Sequence, residues 1–322
     1  MVKPPFELTP TILSLAVNIQ GVLGELKTAT LVKPSVKLRK ENKIRTIHHS
    51  LAIEGNTLTE EQITAILEKK NVIGPKRQIQ EVTNALRVYD QIEKLNPFSE
   101  KDLLKSHAIL MQGLIDRPGE YRNQNVGIFK GAKVGHVAPQ SKMVSPLMKE
   151  LFGFLKANDS TPLLIKACVF HYELEFIHPF LDGNGRMGRL WQQLILMRHS
   201  AVFEFVSIET LIHQQQKKYY QVLESCDASG SSTAFVEYSL DLIEQALLEF
   251  KKKFRPQKAT ASDRIQVAKN HFGKKGFSRK DYLGLHSDIS TATASRDLAS
   301  AVADGELRMT GDQALARYFF ID

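Results

Sequence analysis

The chain has 322 residues, 43% apolar and 24% charged, proportions that fit a globular protein of about two domains. Its two cysteines, Cys168 and Cys226, are too few for a disulfide framework and belong to no Cys-x-x-Cys or mixed Cys/His cluster, which points to a reducing compartment and argues against a structural zinc site. The formal charge of +8 is uneven: residues 251–322 hold 14 Lys+Arg against 8 Asp+Glu, a net of +6, whereas residues 1–250 hold 29 against 27.

In chain order, Met1 to Phe6 holds two prolines and the apolar stretch after it is broken by Asn18, Gln20 and Gly24, so no secretory signal is read there. No later apolar run is long enough to cross a membrane, and a cytoplasmic protein without membrane contact is expected. Residues 36–54 lack Pro and Gly and predict a helix stopped by Gly55. Thr59-Glu-Glu-Gln is a capping box for the next helix. Helical patterns continue over 79–95 and from Ser99 to about Leu114. Residues 116–145 change character: Asp116, Pro118, Gly119, Gly127, Gly131, Gly135 and Pro139 punctuate β-compatible pieces at Val126–Phe129 and Lys133–Val137, a loop and then a hairpin. Helix returns at 146–157, and Pro162 opens a helix to about Ile177 that is apolar on most faces and so belongs in the core. Further helices fit 185–198, 207–225 and 233–254. A linker at 255–261 precedes helices over 263–272, from Ser278, and from Ser290 to Asp304-Gly305. Strands at Glu306–Met309 and Ala316–Ile321 then flank a Gly311-Asp312 turn, and three helices with a ribbon predict a winged helix-turn-helix.

The densest cluster of chemistry is His178-Pro-Phe-Leu-Asp-Gly-Asn-Gly-Arg-Met-Gly-Arg189, between the apolar helix and the next one. Glycines in such a turn let backbone N–H groups face a ligand without a Cβ in the way, and a helix N-terminus adds further N–H groups and a positive dipole end. Arg186 and Arg189, three apart, share a helix face and suit a polyphosphate. Asp182 offers a hard oxygen for Mg²⁺, and His178 is the nearby group able to take a proton near neutral pH. A plain helix-loop-helix corner would use Asp182 and Asn184 for turn hydrogen bonds only.

The string resembles the signature of the Fic family, whose usual activity is transfer of AMP from ATP to a protein hydroxyl. The resemblance implies that His178 deprotonates the target Ser, Thr or Tyr hydroxyl and that Asp182 holds Mg²⁺ against the α- and β-phosphates. Asn184 and the Gly183–Gly185 backbone would cradle phosphate oxygens, with Gly188 in the same site, and Arg186 and Arg189 would hold the β- and γ-phosphates. Pyrophosphate is released. Gly185 stands where a kinase-like branch carries lysine, which favours AMP transfer. The hairpin, with Val126, His136 and Pro139, occupies the place of the flap that docks the target backbone. Tyr219-Tyr220 resembles a pair lining an adenine pocket, and a core pair fits those residues equally.

Upstream, Ser50-Leu-Ala-Ile-Glu54-Gly-Asn places Ser50 and Glu54 on one helical face. An acid at a helix C-terminus is mildly unfavourable, so something else favours it. The string resembles the inhibitory motif of the family, which implies that Glu54 pairs with Arg189, displaces the γ-phosphate and is steadied by Ser50. The expected architecture is mainly α: a Fic-type helical core with a small β-hairpin flap, plus the C-terminal winged helix-turn-helix. The domains divide at 1–95 with the inhibitory helix, 96–254 with the catalytic motif, and 262–322. Two other readings remain: a hydrolase that removes AMP using Glu54, and a DNA-binding regulator with a Fic-like sensor. The implied partners are ATP, Mg²⁺, a protein target, the chain itself by self-modification, a second copy in a dimer, and DNA held weakly by the basic C-terminal region.

Overall fold

The computed structural model describes residues 4–29, 36–130, 133–253, 260–286, 289–311 and 316–321, with backbone alone for 27–29, 36, 128–130, 133–137 and 253. Contacts divide the chain into two compact units, one of Met1–Leu26 with Pro34–Lys253, the other of Lys27–Lys33 with Phe254–Asp322. The first is helical: α1 (Pro10–Ala29), α2 (Val36–Ile53), α3 (Glu60–Leu67), α4 (Lys76–Tyr89), α5 (Glu100–Leu110), α6 (Ser141–Lys156), α7 (Leu163–Ile177), α8 (Asn184–His199), α9 (Glu209–Gln214), α10 (Gln216–Ser229) and α11 (Thr233–Lys253). Between α5 and α6 lies a hairpin of β1 (Gly127–Lys130) and β2 (Lys133–Val137).

The apolar helix sits at the centre, as its composition requires. Eleven of the 15 residues of α7 are buried, and it packs against α6, α8 and α11. Even Lys166 is buried, where its Nζ donates to the Ala157 carbonyl at 2.5 Å and pairs with Asp159 at 3.1 Å. The flanking helix α2 packs against α3, α4, α8 and α9. Its end is a Schellman motif: Gly55 has φ +89°, its N–H donates to Ala52 O at 3.0 Å, and the Asn56 N–H donates to Leu51 O at 3.1 Å. Glu54 therefore stands at the cap, just past the last helical residue.

Three helices differ from the sequence expectation. The helix expected over 146–157 begins at Ser141, because the apolar stripe of Val144, Met148, Leu151, Phe152 and Leu155 starts a turn earlier and Asn125 Oδ1 accepts the Ser141 N–H at 2.8 Å; Pro146 is accommodated inside. The helix expected over 207–225 is broken at Gln215 (φ −110°, ψ 28°), and the next residue, Gln216, donates its side-chain amide to the Ile53 carbonyl of α2 at 2.8 Å. The pattern over 79–95 is a helix from Lys76 to Tyr89 and a separate 3₁₀ turn at Ile92–Lys94.

The second unit holds α12 (Ala261–Phe272), α13 (Arg279–Leu285), α14 (Thr291–Ala303), β3 (Leu307–Thr310) and β4 (Arg317–Phe320). Thr260, Ser278 and Ser290 cap the three helices through their side chains. The ribbon is antiparallel, with Leu307 opposite Phe320 and Thr310 opposite Arg317, and a bridge from Phe277 to Tyr318 adds a third short edge. Its core joins Ile265, Ala268, Phe277, Tyr282, Leu298 and Leu307. A buried bidentate pair ties α12 to α14, with Arg264 Nε 2.6 Å and Nη2 2.9 Å from the Asp297 carboxylate. Most of the expected linker (255–259) and the Asp312 part of the expected turn lie outside the described residues.

Candidate active site

The motif begins where α7 ends. His178 caps the helix in the left-handed region, at φ +50° and ψ +58°, a conformation uncommon for a residue with a Cβ. Arg122 stabilises this end. Its side chain donates to four carbonyls, from His178 (2.7 Å) and Ile177 (3.2 Å) at the helix end and from Gln124 (2.8 Å) and Pro139 (2.6 Å) on either side of the hairpin. A cation at a helix C-terminus is favoured by the dipole, and here it also ties the flanks of the hairpin to the motif. The His178 Nδ1 lies 3.3 Å from the Glu175 carbonyl, which can only accept, so Nδ1 carries the hydrogen and Nε2 keeps the basic lone pair.

The loop after His178 is closed by Asn184. Its Oδ1 accepts the Phe180 N–H at 2.9 Å and its Nδ2 donates to the Phe180 carbonyl at 2.9 Å. Both ends of the Asn184 side chain are thus engaged by Phe180, and it shapes the loop. The backbone N–H groups opening α8 have no intrahelical acceptor. Gly183 takes φ +88°, and a Cβ there would meet the Met111 sulfur at 2.8 Å, so the turn demands glycine. Phe180 stacks on His107 with ring centroids 3.7 Å apart. His107 is fully buried: its Nδ1 accepts the Gly119 N–H at 2.8 Å, so its Nε2–H donates to the Asp182 carbonyl at 2.9 Å.

Asp182 is the half-exposed member of the loop. Its Oδ1 accepts from the Gly183 N–H at 2.6 Å and from Arg186 Nη2 at 2.8 Å, while among the described residues Oδ2 has only a long contact to Arg77 at 3.4 Å. The Oδ2 edge fits a hard cation with one protein carboxylate among its ligands. Arg186 Nη1 also faces Glu81 at 3.7 Å.

Arg189, on the same face of α8, is 2% exposed. Its Nε donates to Ser50 Oγ at 3.1 Å, and its Nη2 donates to the Ser50 carbonyl at 2.9 Å and to Glu54 Oε1 at 2.7 Å. Burial opposes its charge most strongly, but the Glu54 carboxylate, with Tyr219 and Glu175 adding to it, holds its pKa above the ordinary value. The carboxylate also lies against the start of α8: a Cβ on Gly185 would stand 2.5 Å from Glu54 Oε1, 3.1 Å from Arg189 Nη1 and 3.4 Å from Glu175 Oε1. An acid at the unfavourable end of α2 is thus set at the favourable end of α8.

The remaining expected residues divide. Gly188 lets α8 pack closely on α7, since a Cβ there would meet His171 at 2.8 Å and Glu175 Oε1 at 3.3 Å. Tyr219 is a core residue, 1% exposed, with its hydroxyl 3.2 Å from His171 Nε2 and 3.3 Å from Glu175 Oε1; Tyr220 is half-buried beside it. The hairpin pairs Gly127 with Val137 and Ile128 with His136, with a register shift after Ile128. Val126 and Pro139 are half-buried at its ends, and the side chain of His136 lies outside the described residues. Sequence reasoning missed Arg77, Glu81, His107, Arg122 and Glu175. Each touches the motif from a separate helix or loop, or from within the apolar helix, and no local pattern marks it.

The Fic/DOC family model matches residues 97–196. A protein adenylyltransferase Fic of Culex quinquefasciatus is 33% identical over 222 residues, which cover 66% of this chain and 42% of that relative. The chain thus spans about two fifths of the length of such curated relatives. Among solved structures, Fic-1 of C. elegans (residues 134–508) is 25% identical over 75% of this chain and 74% of that one, with a TM-score of 0.60. A Fic family protein from Desulfovibrio desulfuricans G20 is 37% identical, with a TM-score of 0.75 over 99% of this chain and 98% of that one. With a relative of that identity matched from end to end and the full His178–Arg189 signature folded onto one helix N-terminus, the chain belongs to the Fic/DOC family.

Proposed function

We propose that the chain transfers AMP from ATP to a Ser, Thr or Tyr hydroxyl of a protein, itself included, and that Glu54 restrains the reaction. The observation that carries this is the contact of Glu54 with both Arg189 and the N-terminus of α8. His178 Nε2 takes the hydroxyl proton as oxygen bonds to the α-phosphorus, the bond to the bridging oxygen breaks, and pyrophosphate leaves. The Gly183–Gly185 backbone, through the N–H groups at the start of α8, holds phosphate oxygens, and Arg186 and Arg189 balance charge on the outer phosphates. Asp182 Oδ2 is the atom that would hold Mg²⁺, whose charge would favour pyrophosphate as a leaving group. The hairpin docks the target, and α12–β4 form a winged helix-turn-helix that holds DNA weakly.

Arg189 cannot give the same donors to a carboxylate and a γ-phosphate, and two like charges close together in a partly dry site repel strongly. ATP then binds with its α-phosphorus out of line, and a displacement of about 1 Å can cost a hundredfold in rate. Intact-mass measurement after incubation with ATP and Mg²⁺ tests this. Glu54→Gly should gain AMP at least about tenfold faster than the parent, and adding His178→Ala should abolish the gain. Equal rates for parent and Glu54→Gly would remove the brake. A parent that strips AMP from modified chain, with Glu54→Gly unable to, would assign Glu54 to hydrolysis.

A further inference from the structure

A second cluster of ligand-type side chains lies away from the Fic motif, where α2 meets α3 and α9. His48 and His49 are neighbours on α2 and Glu60 opens α3; one ligand-capable atom from each lies within 4.8 Å of the others. His48 Nδ1 is 3.6 Å from Glu60 Oε1. Bonds of about 2.0–2.2 Å put the donor atoms around a tetrahedral zinc roughly 3.4 Å apart, so this pair already stands near ligand spacing and His49 needs to move by about an ångström. His48 Nδ1 is shut off from solvent, yet no hydrogen bond satisfies it. The His49 Nδ1 faces the Arg45 carbonyl at 2.9 Å, which fixes its hydrogen there and leaves Nε2 with the lone pair. The ring of His213, in the last turn of α9, lies 5.4 Å from the ring of His49.

We propose that His48, His49 and Glu60 form a binding site for a divalent transition metal, zinc foremost, with His213 within reach as a fourth ligand. Two imidazoles and a carboxylate are a zinc donor set, and they distinguish the site from the oxygen ligand offered by Asp182. Glu60 and His48 are accessible enough for an ion to enter, with 41% and 25% of their side-chain surfaces exposed. Cysteine spacing gives no sign of such a site, because its ligands are histidines and a glutamate from different helices. Bound there, zinc ties α2 to α3 within two residues of Ser50, on the helix that presents Glu54 to Arg189.

The test uses the full chain, without an affinity tag and stripped of metal by a chelator. Zn²⁺ is titrated against a chromophoric chelator, Co²⁺ serves as a visible probe of coordination, and circular dichroism checks that each variant is folded. The expected result is one Zn²⁺ per chain, a tetrahedral Co²⁺ spectrum and a melting temperature raised by zinc. His48→Ala and Glu60→Gln should each weaken zinc binding by about tenfold or more, with His49→Gln as an independent variant, and His178→Ala should leave it unchanged. No bound zinc, unaltered affinity in folded His48→Ala and Glu60→Gln, or loss of zinc in His178→Ala alone would overturn the site and leave a plain His48–Glu60 contact.

Discussion

Histidines near the motif have different work, and burial separates them. His178 is half-buried at the end of α7 with Nε2 basic, whereas His107 and His171 lie fully inside. Burial brings the pKa of His107 down to about 4. Burial, with the Arg189 charge adding to it, brings that of His171 down to about 3. An unfolded histidine titrates near 6.5, so between that value and the folded one the unfolded chain holds more protons. The stability these two neutral rings allow is complete above pH ~6.5 and falls as the pH drops toward 4, by about 3 kcal/mol for His107 at the lower end. The melting temperature should therefore fall on going from pH 7.5 to 5, and the ring resonances of His107 and His171 should show no titration over that range in NMR. A ring of His107 titrating near its ordinary value would sink this account. The sequence singles out His178 because a Pro, an Asp and a glycine turn follow it. It is silent on His107, whose partner Asp182 stands 75 residues away.

At the scale of elements, α2 and α8 meet at the contact of Glu54 with Arg189 and the start of α8. The end of α2 was readable, since Gly55 announces the stop, but composition alone gives no destination for the Glu54 carboxylate; the family resemblance supplies one. The part of Gly185 was readable only as an open turn, whereas it also makes room for Glu54 Oε1. The same argument gives a test by stability. Ala in a helix is favoured over Gly by roughly 0.5–1 kcal/mol, and Gly185 lies in the first turn of α8. In the parent, the Cβ of Gly185→Ala would meet Glu54 Oε1 at 2.5 Å, so the carboxylate must move and loosen its bond to Arg189. With Glu54→Gly that obstacle is gone and the preference for Ala is expressed. Gly185→Ala should thus destabilise the parent but be neutral or stabilising beside Glu54→Gly, a coupling of about 1–2 kcal/mol in a urea-unfolding cycle. Simple additivity of the two changes would mean that Glu54 does not rest against α8. The start of α6 and the break at Gln215 escaped the sequence for a different reason: Asn125 supports the one, and at the other Gln216 reaches across to α2, both by contacts between segments distant in sequence.

At the scale of the whole molecule, charge and structure divide at nearly the same place. The first unit ends at Lys253, and the net of +6 falls on residues 251–322. Among the described residues of the second unit, Lys274, Lys275, Arg279, Lys280 and Arg296 are exposed. Arg279 donates to Ser295 Oγ at 3.0 Å, which sets the start of α13 beside the first turns of α14. Asp297 does not face these cations, since it is bound to Arg264 inside the core; Asp281 is exposed, and its bonds to Ser278 in the capping box hold it below the usual carboxylate range, so it stays ionised and offsets part of the charge near α13. If the unit binds DNA, the attraction is mainly release of counterions, and log K falls with log salt at about 0.9 per phosphate neutralised. Four phosphate contacts from these cations give a slope of about −3.6, and Arg296→Ala reduces its size by about one. The measurement is fluorescence anisotropy of the full chain with a labelled duplex over a salt series. A chain that binds no duplex at low salt, or binds with a flat dependence, assigns the unit to recruiting a protein target, because the same exposed cations that track a phosphate backbone serve an acidic protein face as well.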